Sequence, residues 1–208
     1  MILRKLELGA FAANCYLVGD EASKEGMIID PGAEGSAILR AVKSLGLKIK
    51  MIVLTHNHMD HIGALAEVKE GTGAPVAIHE DDADGIQRPP FRMVMAPFSR
   101  QAPPPDVLLK DGDPIRVGKL TFKVIHTPGH TQGGICLYTE GIVFTGDTLF
   151  NFGIGRADFP GASYDQEMDS IREKLMALPD NTVVCPGHGP DSTIGIEREG
   201  NPFLHGAI

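Results

Sequence analysis

Residues 51–61 read Met51-Ile52-Val53-Leu54-Thr55-His56-Asn57-His58-Met59-Asp60-His61. The first four form a short unbroken apolar run, the pattern of a strand buried on both faces, as in a parallel sheet. That strand runs straight into three histidines and an aspartate. In α/β folds, side chains aimed at a ligand gather at the carboxyl ends of strands, because the turns there can point several of them at one place. His56 and His58, two apart in an extended turn, project in the same direction and suit one cation. Asp60 and His61 are adjacent, point differently, and suit a second site. Imidazole nitrogen with carboxylate oxygen is a donor set for zinc, iron or manganese rather than for calcium.

The same junction recurs further along. His130 stands in His126-Thr127-Pro128-Gly129-His130-Thr131 after an apolar segment ending at Ile125, Asp147 in Thr145-Gly146-Asp147, and His188 in Pro186-Gly187-His188-Gly189 after the strand-like Thr182 to Cys185. Each has a glycine beside it, whose backbone bends sharply and can come close to a crowded centre. Upstream, Met27-Ile28-Ile29 ends in the turn Asp30-Pro31-Gly32. Leu6 to Val18 predicts two strands, and Ile38, Leu39, Val42 and Leu45 predict a helix stopped by Gly46. A helix from about Ile62 to Glu70 and a strand near Val76 to Ile78 follow. In the second half, Ile115 to Ile125, Gly134 to Tyr138 and Ile142 to Thr145 read as strands, and Met168, Ile171, Leu175 and Leu178 as one face of a helix. Between the halves, residues 85–105 hold six prolines. That is long for a structureless loop and reads either as a functional rim or as a passive linker. The expected architecture is α/β: one domain over residues 1–208, built of two βα halves of about 1–110 and 111–208, packed sheet to sheet with helices outside.

Composition narrows the partners. Nineteen basic residues against 27 acidic ones give a net charge of −8, the wrong sign for gripping a nucleic-acid backbone. No apolar run approaches the roughly 18 residues needed to span a bilayer, and Glu7 interrupts what would be the apolar stretch of a signal peptide after Arg4 and Lys5. The expectation is a cytoplasmic protein acting on a small molecule, with no nucleic acid or membrane partner and its oligomeric state open. Cys15, Cys136 and Cys185 are widely spaced, with no Cys-x-x-Cys pair, so they read as buried and reduced. No Gly-x-Ser-x-Gly elbow offers a serine nucleophile.

Through Thr55-His56-Asn57-His58-Met59-Asp60-His61, Thr127-Pro128-Gly129-His130-Thr131, Phe144-Thr145-Gly146-Asp147-Thr148-Leu149, Gly155-Arg156-Ala157-Asp158-Phe159-Pro160 and Pro186-Gly187-His188-Gly189, the chain resembles the metallo-β-lactamase-fold hydrolases. Within them it is similar to the short glyoxalase-II-like proteins, and the likeness spans nearly the whole chain. The resemblance implies an αββα sandwich of two mixed sheets and two divalent cations, zinc first, with iron or manganese compatible. It would put one cation on His56, His58 and His130, the other on Asp60, His61 and His188, with Asp147 bridging and Asp30 holding a ligand's far nitrogen from behind. The implied activity is hydrolysis of a thioester such as S-D-lactoylglutathione by a hydroxide shared between the cations, with Asp60 and Asp147 as catalytic ligands and orienters. Arg156 would meet an anionic substrate tail. Tyr164 and Phe159 would flank the pocket, although core packing is the plainer role for Phe159.

Relatives of the same fold supply alternatives. A mononuclear iron persulfide dioxygenase would use His56, His130 and Asp147, and another metallo-hydrolase such as a lactonase is a further hydrolytic option. Three departures weigh on the choice. β-Lactamases of this fold generally carry cysteine where Asp147 stands, and diiron flavoproteins carry glutamate where His58 stands. Full-length glyoxalase II has a further helical region that holds glutathione, for which the chain ending at Ile208 leaves no room.

Overall fold

The strand Ala13–Gly19 (β2) is buried along its whole length because its two faces meet two different cores. Tyr16 and Val18 face a second sheet, while Cys15 and Leu17 face helices on the outside. The chain is seen here in a computed structural model that describes residues 1–87 and 101–206. The middle of the Pro-rich segment read as rim or linker, residues 88–100, lies outside the described residues.

Among the described residues, two six-stranded sheets carry the fold. The first runs in the order β1 (Ile2–Leu8), β2, β3 (Glu25–Ile29), β4 (Lys48–Val53), β5 (Val76–His79), β6 (Val107–Leu109). Its first three strands are antiparallel, and β3 through β6 are parallel. β4 is thus parallel to a neighbour on either side, and Ile52 and Val53 are covered on opposite faces, which accounts for the unbroken apolar run. The second sheet contains β7 (Pro114–Val117), β8 (Leu120–His126), β9 (Ile135–Thr139), β10 (Ile142–Gly146), β13 (Val183–Pro186) and β14 (Ser192–Thr193), in the order β14-β13-β10-β9-β8-β7. A small hairpin, β11 (Leu149–Phe150) with β12 (Gly153–Ile154), stands apart.

Between the sheets, Tyr16, Val18, Met27, Ile29 and Val53 meet Phe122, Val124, Leu137 and Phe144. The rings of Tyr16 and Phe144 pack edge to face, with centroids 5.1 Å apart. On the outer face of the first sheet, Leu17, Ile28 and Ile52 cover Ile38 and Val42 of α1 (Gly35–Leu45) and Leu65 and Val68 of α3 (Leu65–Thr72). On the outer face of the second, Cys136, Val143 and Val184 cover Ile171, Leu175 and Ile194. Helix, sheet, sheet and helix form the four layers that the sequence implied. All three cysteines are buried and unpaired. Among the described residues no helix is long and apolar enough to cross a membrane.

Local departures from the sequence reading have identifiable causes. The helix expected from Ile62 to Glu70 starts earlier and is broken into α2 (Met59–Ile62) and α3. Pro31-Gly32 wedges against the break. A Cβ at Gly63 would stand 2.5 Å from the Gly32 carbonyl oxygen, and the Ala64 N–H bonds to Pro31 O at 3.0 Å instead of continuing the helix. The expected helix through Leu178 is α4 (Tyr164–Asp169) followed by a π-type turn over Ser170–Leu175. Residues 85–87 belong to a 3₁₀ helix, Glu80–Gln87, rather than to a loop. The edge strands β6 and β14, the β11–β12 hairpin and α5 (Ile194–Gly200) carry too little periodic signal to be read from sequence.

Candidate metal centre

Four strand ends deliver the polar residues to one rim. β4 leads into Thr55-His56-Asn57-His58, and α2 then presents Asp60 and His61 in its first turn. β8 leads to a tight loop holding His130, β10 ends one residue before Asp147, and β13 leads through Gly187 to His188. The crowding explains the glycines. A Cβ at Gly187 would collide with the Asp147 carboxylate, and one at Gly146, which is at φ +49°, would collide with Thr55.

The seven side chains form two groups of three with Asp147 between them. In one, His130 Nε2 lies 2.9 Å from His58 Nδ1, with His56 completing the set. In the other, His61 Nε2 lies 3.2 Å from His188 Nε2, and Asp60 Oδ2 lies 3.2 Å from His188 Nε2. Asp147 reaches both: its Oδ2 is 3.6 Å from His130 Nε2 and 3.9 Å from His56 Nε2, and its Oδ1 is 3.3 Å from His61 Nε2. Donors about 2.0–2.1 Å from one tetrahedral ion stand about 3.3 Å apart, so these separations are those of ligand edges.

The far side of each ring fixes which nitrogen faces inward. His61 Nδ1 is 3.0 Å from Asp30 Oδ2, His130 Nδ1 is 2.7 Å from Arg156 O, His188 Nδ1 is 3.1 Å from Phe11 O, and His56 Nδ1 is 3.0 Å from Thr55 Oγ1. With Nδ1–H donating outward, Nε2 is left as a lone pair toward the centre. Thr55 Oγ1–H donates in turn to Asp30 Oδ2 at 2.6 Å, and the Thr55 N–H to Asp30 Oδ1 at 2.7 Å. Asp30 therefore holds His61 directly and His56 through Thr55.

The electrostatics call for positive charge. Burial disfavours the charged form of His61, yet the carboxylates of Asp147 and Asp30 outweigh it and hold its pKa well above the ordinary value. His188 is raised in the same way, against its burial, by Asp60. Burial would keep Asp147 neutral, but the surrounding imidazoles hold it ionised, well below the usual carboxylate range. Burial, reinforced by neighbouring histidines, pushes His56 well down and His58 to about 4, leaving neutral imidazoles of the kind that ligate metals. Buried Asp147 Oδ1 and His56 Nε2 have no hydrogen-bond partner in the protein. Unpartnered inward lone pairs, three gathered carboxylates and two rings drawing protons fit bound divalent cations.

Other residues take different places. Arg156 supplies its carbonyl to His130, but its guanidinium lies outside, 2.8 Å from Asp158 Oδ2 and 4.4 Å above the Phe159 ring. Phe159 is not a core residue: it is half-buried, with its ring 5.5 Å from that of His58 and 6.2 Å from that of His130. Tyr164 begins α4 and is half exposed. Two grooves flank the centre, one of about 370 Å³ beside His58, His130, Gln132 and Phe159, the other of about 260 Å³ beside Asp60, Met59 and Phe11. Tyr164 lines neither. Glu167, which the sequence did not single out, is fully buried behind His130, and burial pushes its carboxyl up to about 8. A further group, His79, Asp81 and His126, has its two rings stacked 3.9 Å apart at 12°. One ion cannot lie in the planes of both rings, so this group makes a poor metal site.

Comparison with known proteins agrees with this geometry. The profile of the metallo-beta-lactamase superfamily matches residues 8–188. The hydroxyacylglutathione hydrolase GloC of Haemophilus influenzae is 36% identical, over 99% of each chain. The crystal structure of the BLEG-1 B3 metallo-beta-lactamase superposes with a TM-score of 0.91 at 36% identity, covering 98% of this chain and 99% of that one. A di-iron-bound crystal structure of TTHA1623 superposes with a TM-score of 0.85 at 35% identity, covering 97% of this chain and 100% of that one. With its fold, its converging histidines and aspartates and these likenesses in agreement, the chain belongs to the metallo-beta-lactamase superfamily.

Proposed function

We propose that this metallo-hydrolase cleaves thioesters of small thiols at a centre of two divalent cations. The observation that carries the reading is the reach of Asp147, whose two carboxylate oxygens face the two triads. His56, His58 and His130 would hold one cation and Asp60, His61 and His188 the other. Bound there, the cations supply a Lewis acid for the carbonyl oxygen and a water whose pKa falls from about 15.7 to near 7. Zinc, iron and manganese all suit imidazole and carboxylate donors. The likeness to GloC supports the thioester, and the di-iron state of TTHA1623 supports a pair of ions.

The chain's own residues have defined parts. Asp60 and Asp147, surrounded by imidazoles, stay ionised and act as ligands and orienters, not as proton acceptors. Asp30, Thr55, Arg156 O and Phe11 O keep the rings in one tautomer. The scissile group would lie over the centre with its two arms in the flanking grooves, and Phe159 would wall one of them. The cysteines are buried with raised pKa values, so none offers a nucleophile.

The deciding experiment pairs metal analysis of purified protein with three assays: hydrolysis of S-D-lactoylglutathione and of simple acyl thioesters, oxygen uptake with a persulfide, and hydrolysis of a β-lactam. Two ions per chain and turnover confined to thioesters are expected. One iron with oxygen uptake, or turnover of the β-lactam alone, overturns the proposal.

A further inference from the structure

Glu167 on α4 has no exposed surface, and none of the roles above uses its carboxylate. Its Oε2 accepts the His130 N–H at 2.5 Å. Its Oε1 lies against Gly155, 3.0 Å from where a Cβ would stand there. Gly155 immediately precedes Arg156, whose carbonyl receives the His130 Nδ1–H at 2.7 Å. Gly129, at φ +150°, is pressed onto Glu167 so closely that any side chain would strike both the backbone and the carboxylate of that residue. One carboxyl group thus takes the amide that carries the His130 ring on one oxygen, and with the other, which has no hydrogen-bond partner, packs beside the segment whose carbonyl orients that ring.

We propose that Glu167 is a positioning residue, fixing these two backbone segments so that His130 Nε2 stays in register with His56 and His58. The inference rests on the reading of His130 as a ligand. Groups that orient a ligand from behind typically contribute 10- to 100-fold to metal affinity, and here the brace acts on the ligand's backbone and on its hydrogen-bond acceptor at once.

Three variants of the full chain test it by metal content after dialysis and by chelator competition, with circular dichroism as the check on folding. Glu167→Gln keeps an acceptor at the same reach, Glu167→Asp withdraws it by one methylene, and Glu167→Ala removes it. The Asp and Ala variants are expected to fall toward one ion per chain, with affinity at the vacated position reduced 10- to 100-fold, and Gln is expected to restore two. A carboxylate that only stabilised the fold would lower thermal stability without selective loss of one ion or rescue by Gln. Full metal content in Glu167→Asp, or loss in Glu167→Gln equal to that in Glu167→Asp, overturns the proposal, and this pair decides even where Glu167→Ala does not fold. His130→Ala separates the two levels. If it retains both ions, the ligand reading itself fails. If it loses one while Glu167→Asp loses none, only the positioning role fails.

Discussion

Asp30 lies beneath His61 with its Oδ2 3.0 Å from the ring's Nδ1, and the same oxygen takes the hydroxyl of Thr55 at 2.6 Å. A single buried carboxylate thus sets the tautomer of one histidine directly and of His56 through a hydroxyl. Asp30 is at φ +52°, a left-handed conformation that aspartate and asparagine tolerate better than most residues. Asp30→Asn therefore leaves the backbone at ease and tests the side chain alone. Its amide would turn an N–H either toward both His61 Nδ1–H and the Thr55 hydroxyl, or toward the Thr55 backbone N–H. Metal affinity is expected to fall 10- to 100-fold, read by chelator competition, and unchanged affinity would show that the ring needs no such anchor.

How far the site was legible depends on the range of the interaction. The residues that converge could be picked out because each follows an apolar strand and neighbours a turn, signals carried within a few positions. Asp30 was readable for the same reason, at the end of Met27-Ile28-Ile29. Glu167 was not. It sits among Asp165 and Asp169 in a short polar helix, and nothing in that spacing marks which acid turns inward, because the partner that buries it is the loop at Gly129. The break at Gly63 is likewise dictated from outside, by the carbonyls of Pro31 and Gly32. Of the two places open to Phe159, the core is the plainer one for an aromatic residue, but its ring packs at the rim of the centre beside His58 and His130.

Removing the metal should cost stability as well as activity. Without cations, Asp147 remains buried with an unpartnered oxygen, offset locally by the surrounding imidazoles, of which His61 and His188 draw protons. A ligand at 1,000 times its Kd stabilises the folded state by about 4 kcal/mol, which for a chain of this size moves Tm by roughly 10 °C. Chelation should lower Tm by that order and readdition of metal should restore it. Asp147→Ala, which touches both triads, should lose more metal than His188→Ala, and a chelated protein with unchanged Tm would argue against ions held by buried ligands.

Burial pushes the thiols of Cys136 and Cys185 up to about 12. At pH 8 only about one in ten thousand of each is thiolate, so alkylation of the native protein should be negligible. The sign for stability follows. An acid whose folded pKa exceeds its unfolded value of about 8.5 contributes fully below that value, and its contribution is lost as pH climbs toward 12. Each such thiol should lower unfolding free energy by about 1.4 kcal/mol per pH unit above 9, and Tyr16, raised by burial, acts in the same direction. Urea midpoints between pH 8 and 10.5 measure the slope, which Cys136→Ala should reduce by about that increment. A flat profile would mean that these thiols titrate normally.

Arg156 and Asp158 form an exposed bidentate pair, with Nε to Oδ1 at 3.0 Å and Nη2 to Oδ2 at 2.8 Å, over the ring that walls the larger groove. Water and salt screen a pair this exposed, so it holds only weakly, and a substrate carboxylate can compete with Asp158 for the guanidinium. Asp158→Asn frees the cation and Arg156→Ala removes it, and neither should shift Tm by more than about 1 °C, as expected of surface positions. For a thioester whose thiol carries a carboxylate, kcat/KM should rise a few-fold in Asp158→Asn and fall a few-fold in Arg156→Ala. For a neutral thioester neither should change it. The difference should shrink as salt is raised from about 0.01 to 0.5 M, because screening shortens the reach of an exposed charge. Steady-state kinetics on the matched pair of substrates decide the point: equal effects of both variants on the charged and neutral thioesters would mean that this arginine does not meet the substrate's charge, and that carrier recognition lies elsewhere on the rim.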